Sequence, residues 1–116
     1  VYKRQNLIRT DLKNELVMVL VPVVKTVNLK VVSSVMKAKK AFLASGVDAE
    51  RATGYVVGGI SPLGTRTPLR TLIDESANNY EILYCSGGRR GLEISISPKE
   101  LLRVINAQAV PGLTNK

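Results

Sequence analysis

The longest uninterrupted apolar run is Leu16-Val17-Met18-Val19-Leu20-Val21, preceded by Glu15 and closed by Pro22. It has no polar position on either face and is rich in β-branched residues, which predicts a strand buried on both sides. Asn6 to Arg9 reads as a shorter strand and Asp11-Leu12-Lys13-Asn14 as a polar turn, so the two strands form a hairpin. After Pro22 the spacing changes to a helical period. Leu29, Val32, Val35 and Met36 share one face, and Lys30, Ser33, Ser34 and Lys37 lie mostly on the other. Asn28 is the N-cap candidate for this helix, which is expected to run to about Lys37. Ala41 to Ala44 is a short strand candidate, and Ser45 to Asp48 caps one or two helical turns through Ala52. Leu69 to Asp74, Tyr80 to Ser86 and Leu92 to Ile96 read as strands, with Glu75 to Asn79 as a polar connection. Ser97-Pro98-Lys99-Glu100 is a capping box with proline at the first helical position, and Leu101, Leu102, Val104 and Ile105 give the last helix its apolar face.

About six strands and three helices without regular βαβ alternation predict an α+β fold built on a mixed, curled β-sheet with surrounding helices. Neither a repeat nor a linker is visible, so residues 1–116 read as one domain. Val1-Tyr2-Lys3-Arg4-Gln5 is also what GTG TAT AAG AGA CAG encodes, the end of a transposon sequence used in preparing sequencing libraries. These five residues therefore read as a library scar, and the chain, which does not begin with Met, as a fragment.

Two stretches break the periodic pattern. Gly54 to Gly64 starts as a short apolar strand and then thins to Gly58, Gly59, Ile60, Ser61 and Pro62. Glycines let backbone approach a ligand where a Cβ would clash, and Pro62 stiffens the turn. The expectation is an irregular wall whose N–H and C=O groups point into a cleft; the plain alternative is a tight turn between strands. Ser86-Gly87-Gly88-Arg89-Arg90-Gly91 is a second loop of the same kind. Neither contains G-x-G-x-x-G or a P-loop, so no dinucleotide or P-loop site is predicted.

Composition narrows the chemistry. The chain has no histidine and one cysteine, Cys85, set in the apolar strand pattern Ile82-Leu83-Tyr84-Cys85. A lone cysteine forms no internal disulfide, which fits a reducing cytoplasm, and here it reads as a buried, inert thiol. Ser-His and Cys-His nucleophile pairs are excluded, no metal site is expected, and no cofactor is expected. Seventeen Lys and Arg against nine Asp and Glu give a net charge of +8, which favours a polyanionic partner or a solvated basic face. With five aromatics (Tyr2, Phe42, Tyr55, Tyr80, Tyr84), phosphate attraction is the better reading than sequence-specific stacking. Lys37, Lys39 and Lys40 crowd a helix end, where they suit the helix dipole or meet phosphate. No apolar run is long enough to span a membrane.

With both loops in view, the chain resembles the YbaK/ProX-type aminoacyl-tRNA editing domains, small free-standing deacylases related to the editing insertion of prolyl-tRNA synthetase. The strings that carry the resemblance are Ala52 to Gly64 and Ser86 to Ile94, with weaker support from Asn28-Leu29-Lys30 and Ala38-Lys39-Lys40-Ala41. The resemblance implies a sheet curled into a partial barrel and hydrolysis of the ester in Cys-tRNA, chiefly on proline tRNA, with the substrate's own thiol attacking its carbonyl. It implies that Gly58, Gly59, Ile60, Ser61 and Pro62 hold the terminal adenosine through backbone hydrogen bonds. Ser86, Gly87 and Gly88 would line the aminoacyl pocket. Glu93 stands where many members carry aspartate, and Lys3 falls on the pocket lysine, although Arg4 replaces the family's threonine. The catalytic set implied is thus Lys3, Gly58, Ser86 and Glu93, with aminoacylated tRNA as partner, prolyl-tRNA synthetase as a second, and a cytoplasmic location. The family also carries a further N-terminal helix and strand ahead of Lys3. The rival reading is a non-catalytic module that binds the tRNA acceptor end or a synthetase; a small-molecule binding domain is more remote.

Overall fold

In the computed structural model the described residues are 3–12, 15–56, 59–66, 69–89 and 91–115, with backbone only for 3–6. The long apolar run becomes strand β2 (Leu16–Pro22), the centre of a five-stranded sheet. Its partner β1 (Lys3–Thr10) pairs antiparallel from Lys3 opposite Pro22 to Arg9 opposite Leu16. Short β3 (Ala41–Leu43) extends the sheet beyond β1, also antiparallel. On the other side β4 (Arg70–Asp74) pairs parallel to β2, and the sheet is therefore mixed.

The alternation of β2 decides the layering. Val17 to Val21 have no exposed surface. Val17, Val19 and Val21 pack on one face with Ile8, Leu72, and Val32 of helix α1 (Leu29–Val35). Met18 and Leu20 pack on the other with Leu7, Ile73 and Ala49, the last on helix α2 (Gly46–Thr53). The same face takes Leu83 from β5 (Leu83–Ser86) and Leu101 from helix α3 (Pro98–Ile105). Adjacent residues Leu7 and Ile8, or Leu72 and Ile73, divide between the two cores because side chains in a strand alternate sides. Each fully buried aliphatic side chain stabilises by about 1.5–3 kcal/mol. Strand β5 pairs antiparallel with β6 (Glu93–Ile96) as a separate two-stranded sheet over this second face.

Caps fall where the polar residues predict. Asn28 Oδ1 accepts the N–H groups of Lys30 and Val31, Ser45 Oγ that of Asp48, and Ser97 Oγ that of Glu100. Only this half of the expected capping box forms among the described residues; the Glu100 carboxylate instead accepts from Arg103 at 2.6 Å.

Several expectations are corrected. Helix α1 stops at Val35, not near Lys37, because Met36 already caps it and Lys37 turns left-handed at φ 58°. Gly54 does not open a strand: it terminates α2 at φ 81°, and Tyr55 and Val56 are irregular. The polar connection Glu75–Asn79 is a 3-10 turn capped by the Asp74 carboxylate. Tyr80 to Ile82 precede the strand rather than belong to it. A seventh strand, β7 (Gln108–Val110), pairs parallel to β4; Gln108-Ala109-Val110 is too short to show a period in sequence. The sheet is curled but not closed, with β3 and β7 at its edges. Lys3 to Gln5, read as a scar, lie within β1.

Candidate functional site

The first glycine-rich loop hangs from the end of α2. Thr53 anchors it at both sides: its carbonyl accepts the N–H of Arg66 at 3.0 Å, and its Oγ1 accepts that of Tyr55 while donating to Ala49 O at 2.7 Å. The bond from Arg66 to Thr53 thus closes the neck of this loop. Inside it, Ser61 Oγ accepts the Leu63 N–H at 3.2 Å, and Gly59 N–H donates to Val56 O at 2.9 Å. Gly59, Ser61 and Pro62 are buried and Ile60 half-buried. Gly58 and Arg90 lie outside the described residues.

The second loop joins β5 to β6 and repeats the same local bond. Ser86 Oγ accepts the N–H of Gly88 at 3.2 Å, and Gly87 N–H donates to Leu92 O at 2.7 Å. Both serines are nearly fully buried, 2% exposed for Ser61 and 5% for Ser86. In both, the hydroxyl oxygen serves a turn, the plain role open to Ser86 from sequence, while the hydroxyl proton has no acceptor among the described residues. Gly87 is required by packing, since a Cβ there would stand 2.8 Å from Leu92 Cγ.

Tyr55 ties the two loops together. Its hydroxyl donates to Leu63 O at 2.6 Å, across the first loop. Its ring lies against the second: a Cβ on Gly88, where φ is 111°, would meet Tyr55 Cε1 at 3.0 Å. A Cβ on Gly64 would meet the Tyr55 hydroxyl at 3.3 Å. The tyrosine thus fits between two glycines, each with positive φ, one from each loop. Sequence reasoning assigns Tyr55 no role, because Gly54-Tyr55-Val56 reads there as the start of a strand.

The remaining expected residues divide. Glu93 is the cross-strand partner of Ser86, so the two side chains share one face of the β5–β6 hairpin. Glu93 is exposed to solvent, and no hydrogen bond joins it to Ser86. Lys3 sits at the first position of β1, opposite Pro22, and its side chain lies outside the described residues. Pro62 and Gly64 also wall an open cleft of ≈ 880 Å³ with Met18, Leu69, Arg70 and Gln108; Ser86 does not line it. Burial pushes the Cys85 thiol up to about 11, so it stays protonated and inert. Among the described residues no group of histidine, cysteine or carboxylate side chains could hold a metal ion. The arrangement offers backbone dipoles, two buried hydroxyls and one solvent-facing carboxylate. Among the described residues of the two loops it offers no histidine or buried carboxylate as a strong general base.

Residues 4–104 match the model of the aminoacyl-tRNA editing domain. The chain belongs to that family. Over 92 residues it is 32% identical to the Enterococcus faecalis protein named "Putative Cys-tRNA(Pro)/Cys-tRNA(Cys) deacylase EbsC". The match covers 79% of this chain but 56% of that relative, so the chain spans little more than half its length. Among solved structures, the one described as "Crystal structure of a putative trans-editing enzyme for prolyl tRNA synthetase" superposes with a TM-score of 0.88 at 23% identity, covering 99% of this chain and 71% of its own. A scaffold from epitope backbone grafting superposes at 0.91 and 23% identity, covering 99% and 72%, and hypothetical protein APE2540 at 0.88 and 21%, covering 98% and 74%. At these identities the superpositions establish the editing-domain fold alone. No helix among the described residues is long and apolar enough to cross a membrane.

Proposed function

We propose that the protein containing this chain is an aminoacyl-tRNA deacylase that removes cysteine from mischarged proline tRNA, and from cysteine tRNA as a second substrate. The observation that carries the reading is the pair of side-chain-poor loops joined through Tyr55, in a domain of the aminoacyl-tRNA editing family. An aminoacyl ester is already activated, so its cleavage depends on positioning and oriented dipoles more than on a strong protein base. Cysteine supplies its own nucleophile. Its sulfur bonds to the ester carbonyl carbon, the bond from that carbon to the ribose oxygen breaks, and the thiol proton ends on that oxygen. The products are a thiolactone and free tRNA. Backbone groups of Gly58 to Pro62 hold the terminal adenosine, Ser86 with Gly87 and Gly88 bounds the aminoacyl side, and Lys3 and Glu93 lie at its polar end. Aminoacylated tRNA is the partner, prolyl-tRNA synthetase a second one, and the cytoplasm the compartment.

A binding module without turnover is the second reading. It is favoured by the Ser86 oxygen already serving Gly88 and by the solvent-facing position of Glu93. Incubating Cys-tRNA(Pro) with the whole protein separates the two. Loss of the ester faster than in buffer supports the deacylase, and binding with unchanged ester lifetime supports the module.

A further inference from the structure

The segment after α1 is rich in lysine. Lys37, Lys39 and Lys40 are exposed, as is Lys30 on the helix itself. Among the described residues none of the four forms an ion pair; the pairs there are Arg9 with Asp48 and Arg103 with Glu100. The helix dipole bears on Lys37, next to the cap, but not on Lys39 and Lys40, which lie beyond the terminal turn. Asp11 is committed to the backbone: its Oδ1 accepts the N–H groups of Lys39 at 3.1 Å and Lys40 at 3.2 Å, and its own N–H donates to Lys40 O at 3.2 Å. Those bonds fix the main chain from which two of the lysines project. Lys37 adopts φ 58° at the residue after the helix cap, where glycine or asparagine is the usual occupant. The segment therefore accepts some backbone strain and presents three exposed lysines on a fixed base beside one carboxylate, Asp11.

We propose that Lys37, Lys39 and Lys40 form the contact surface for the phosphate backbone of the tRNA acceptor stem, an inference that rests on the tRNA reading given above. Lysines act as point charges on phosphates without reading bases, which suits a protein that must accept a duplex stem. Position supports the same partner. Asp11 follows the last residue of β1, and Ala41 pairs with Thr10, so the cluster lies at the opposite end of β1 from Lys3. Strand β1 has eight residues, which at a strand's rise spans roughly 23 Å. An aminoacyl group held near Lys3 does not reach that far, whereas the polymer attached to it does.

The test measures binding of an acceptor-stem RNA hairpin ending in CCA across a salt series, by fluorescence anisotropy, with a CCA-ended single strand as comparison. For K37A/K39A/K40A in the whole protein, the slope of log K against log salt is expected to fall by about 2–3, at roughly 0.9 for each phosphate no longer neutralised. Hairpin affinity at low salt drops at least ~10-fold, single-strand binding stays the same, and K37R/K39R/K40R retains wild-type behaviour. An unchanged slope, an equal loss for the single strand, or no hairpin binding by the wild type overturns the proposal. Melting temperature of the alanine variant is the folding control, and K37Q/K39Q/K40Q repeats the test if it falls. Because the readout is binding, a protein that passes here yet leaves Cys-tRNA intact loses the catalytic reading and keeps this one.

Discussion

Tyr55 is the residue on which the convergence of the two loops depends, and its contribution divides into a hydrogen bond and a ring. Tyr55→Phe removes the hydroxyl that donates to Leu63 O at 2.6 Å and leaves that carbonyl to water or to nothing. The net cost is about 1 kcal/mol, a factor of about five in the population of the closed loop. Tyr55→Ala also removes the ring against which Gly64 and Gly88 approach. The ring is half-buried, so its loss costs about 2 kcal/mol more, below the roughly 3–5 of a fully buried aromatic. In a domain of this size each kcal/mol lowers Tm by about 4 °C. Two amides report on the loops separately: Leu63 N–H is held by Ser61 Oγ, and Gly88 N–H by Ser86 Oγ. Amide hydrogen exchange on Tyr55→Phe is expected to show roughly fivefold faster exchange at Leu63 with Gly88 little changed. Tyr55→Ala is expected to accelerate both. If Tyr55→Ala leaves Leu63 and Gly88 as protected as in the wild type, the loops are not tied through this ring, and the geometry assigned to the site is wrong.

Gly88→Ala places a Cβ 3.0 Å from the Tyr55 ring at φ 111°, and is expected to cost about 1–3 kcal/mol in unfolding free energy by urea titration; a neutral effect would contradict the close approach. Asp74→Ala removes the acceptor of both the Ser76 and Leu113 N–H groups in a buried position, and the expected loss is about 3 kcal/mol in the same titration. Cys85, raised from an ordinary 9.0 to about 11 by burial, is expected to resist a thiol-labelling reagent at pH 8 until the chain unfolds. Because the folded state holds that proton more tightly than the unfolded one, the stability it contributes is present below pH 9.0 and lost as pH rises toward about 11, which unfolding titrations across that window check.

The layering was legible because it depends on alternation. Val17 to Val21 carry no polar residue, so the strand had to be covered twice, and the residues of Leu7-Ile8 and Leu72-Ile73 fall on opposite sides as strand geometry requires. The caps were equally legible, since Asn28, Ser45 and Ser97 each supply one oxygen to nearby backbone N–H groups. What was not legible depends on tertiary context. Nothing local separates Gln108-Ala109-Val110 from a loop until β4 offers an edge. The string around Tyr55-Val56 looks like a strand, but Gly54 has already turned left-handed to end α2, and no strand among the described residues pairs with it. At the site, the glycine strings marked the two loops and the resemblance named their residues. Only the fold shows that Ser86 and Glu93 are cross-strand neighbours and that a tyrosine joins the loops.

The central claim is that the substrate, not the protein, supplies the attacking group. The most direct test is the lifetime of Cys-tRNA(Pro) against Ser-tRNA(Pro) with the whole protein, a comparison that exchanges one sulfur for one oxygen at the same position. The account predicts that the cysteine ester is cleaved faster than in buffer, with a rate that rises about tenfold per pH unit below the thiol's pKa of about 8.5, while the serine ester persists. Equal cleavage of both esters, or of neither, would contradict it.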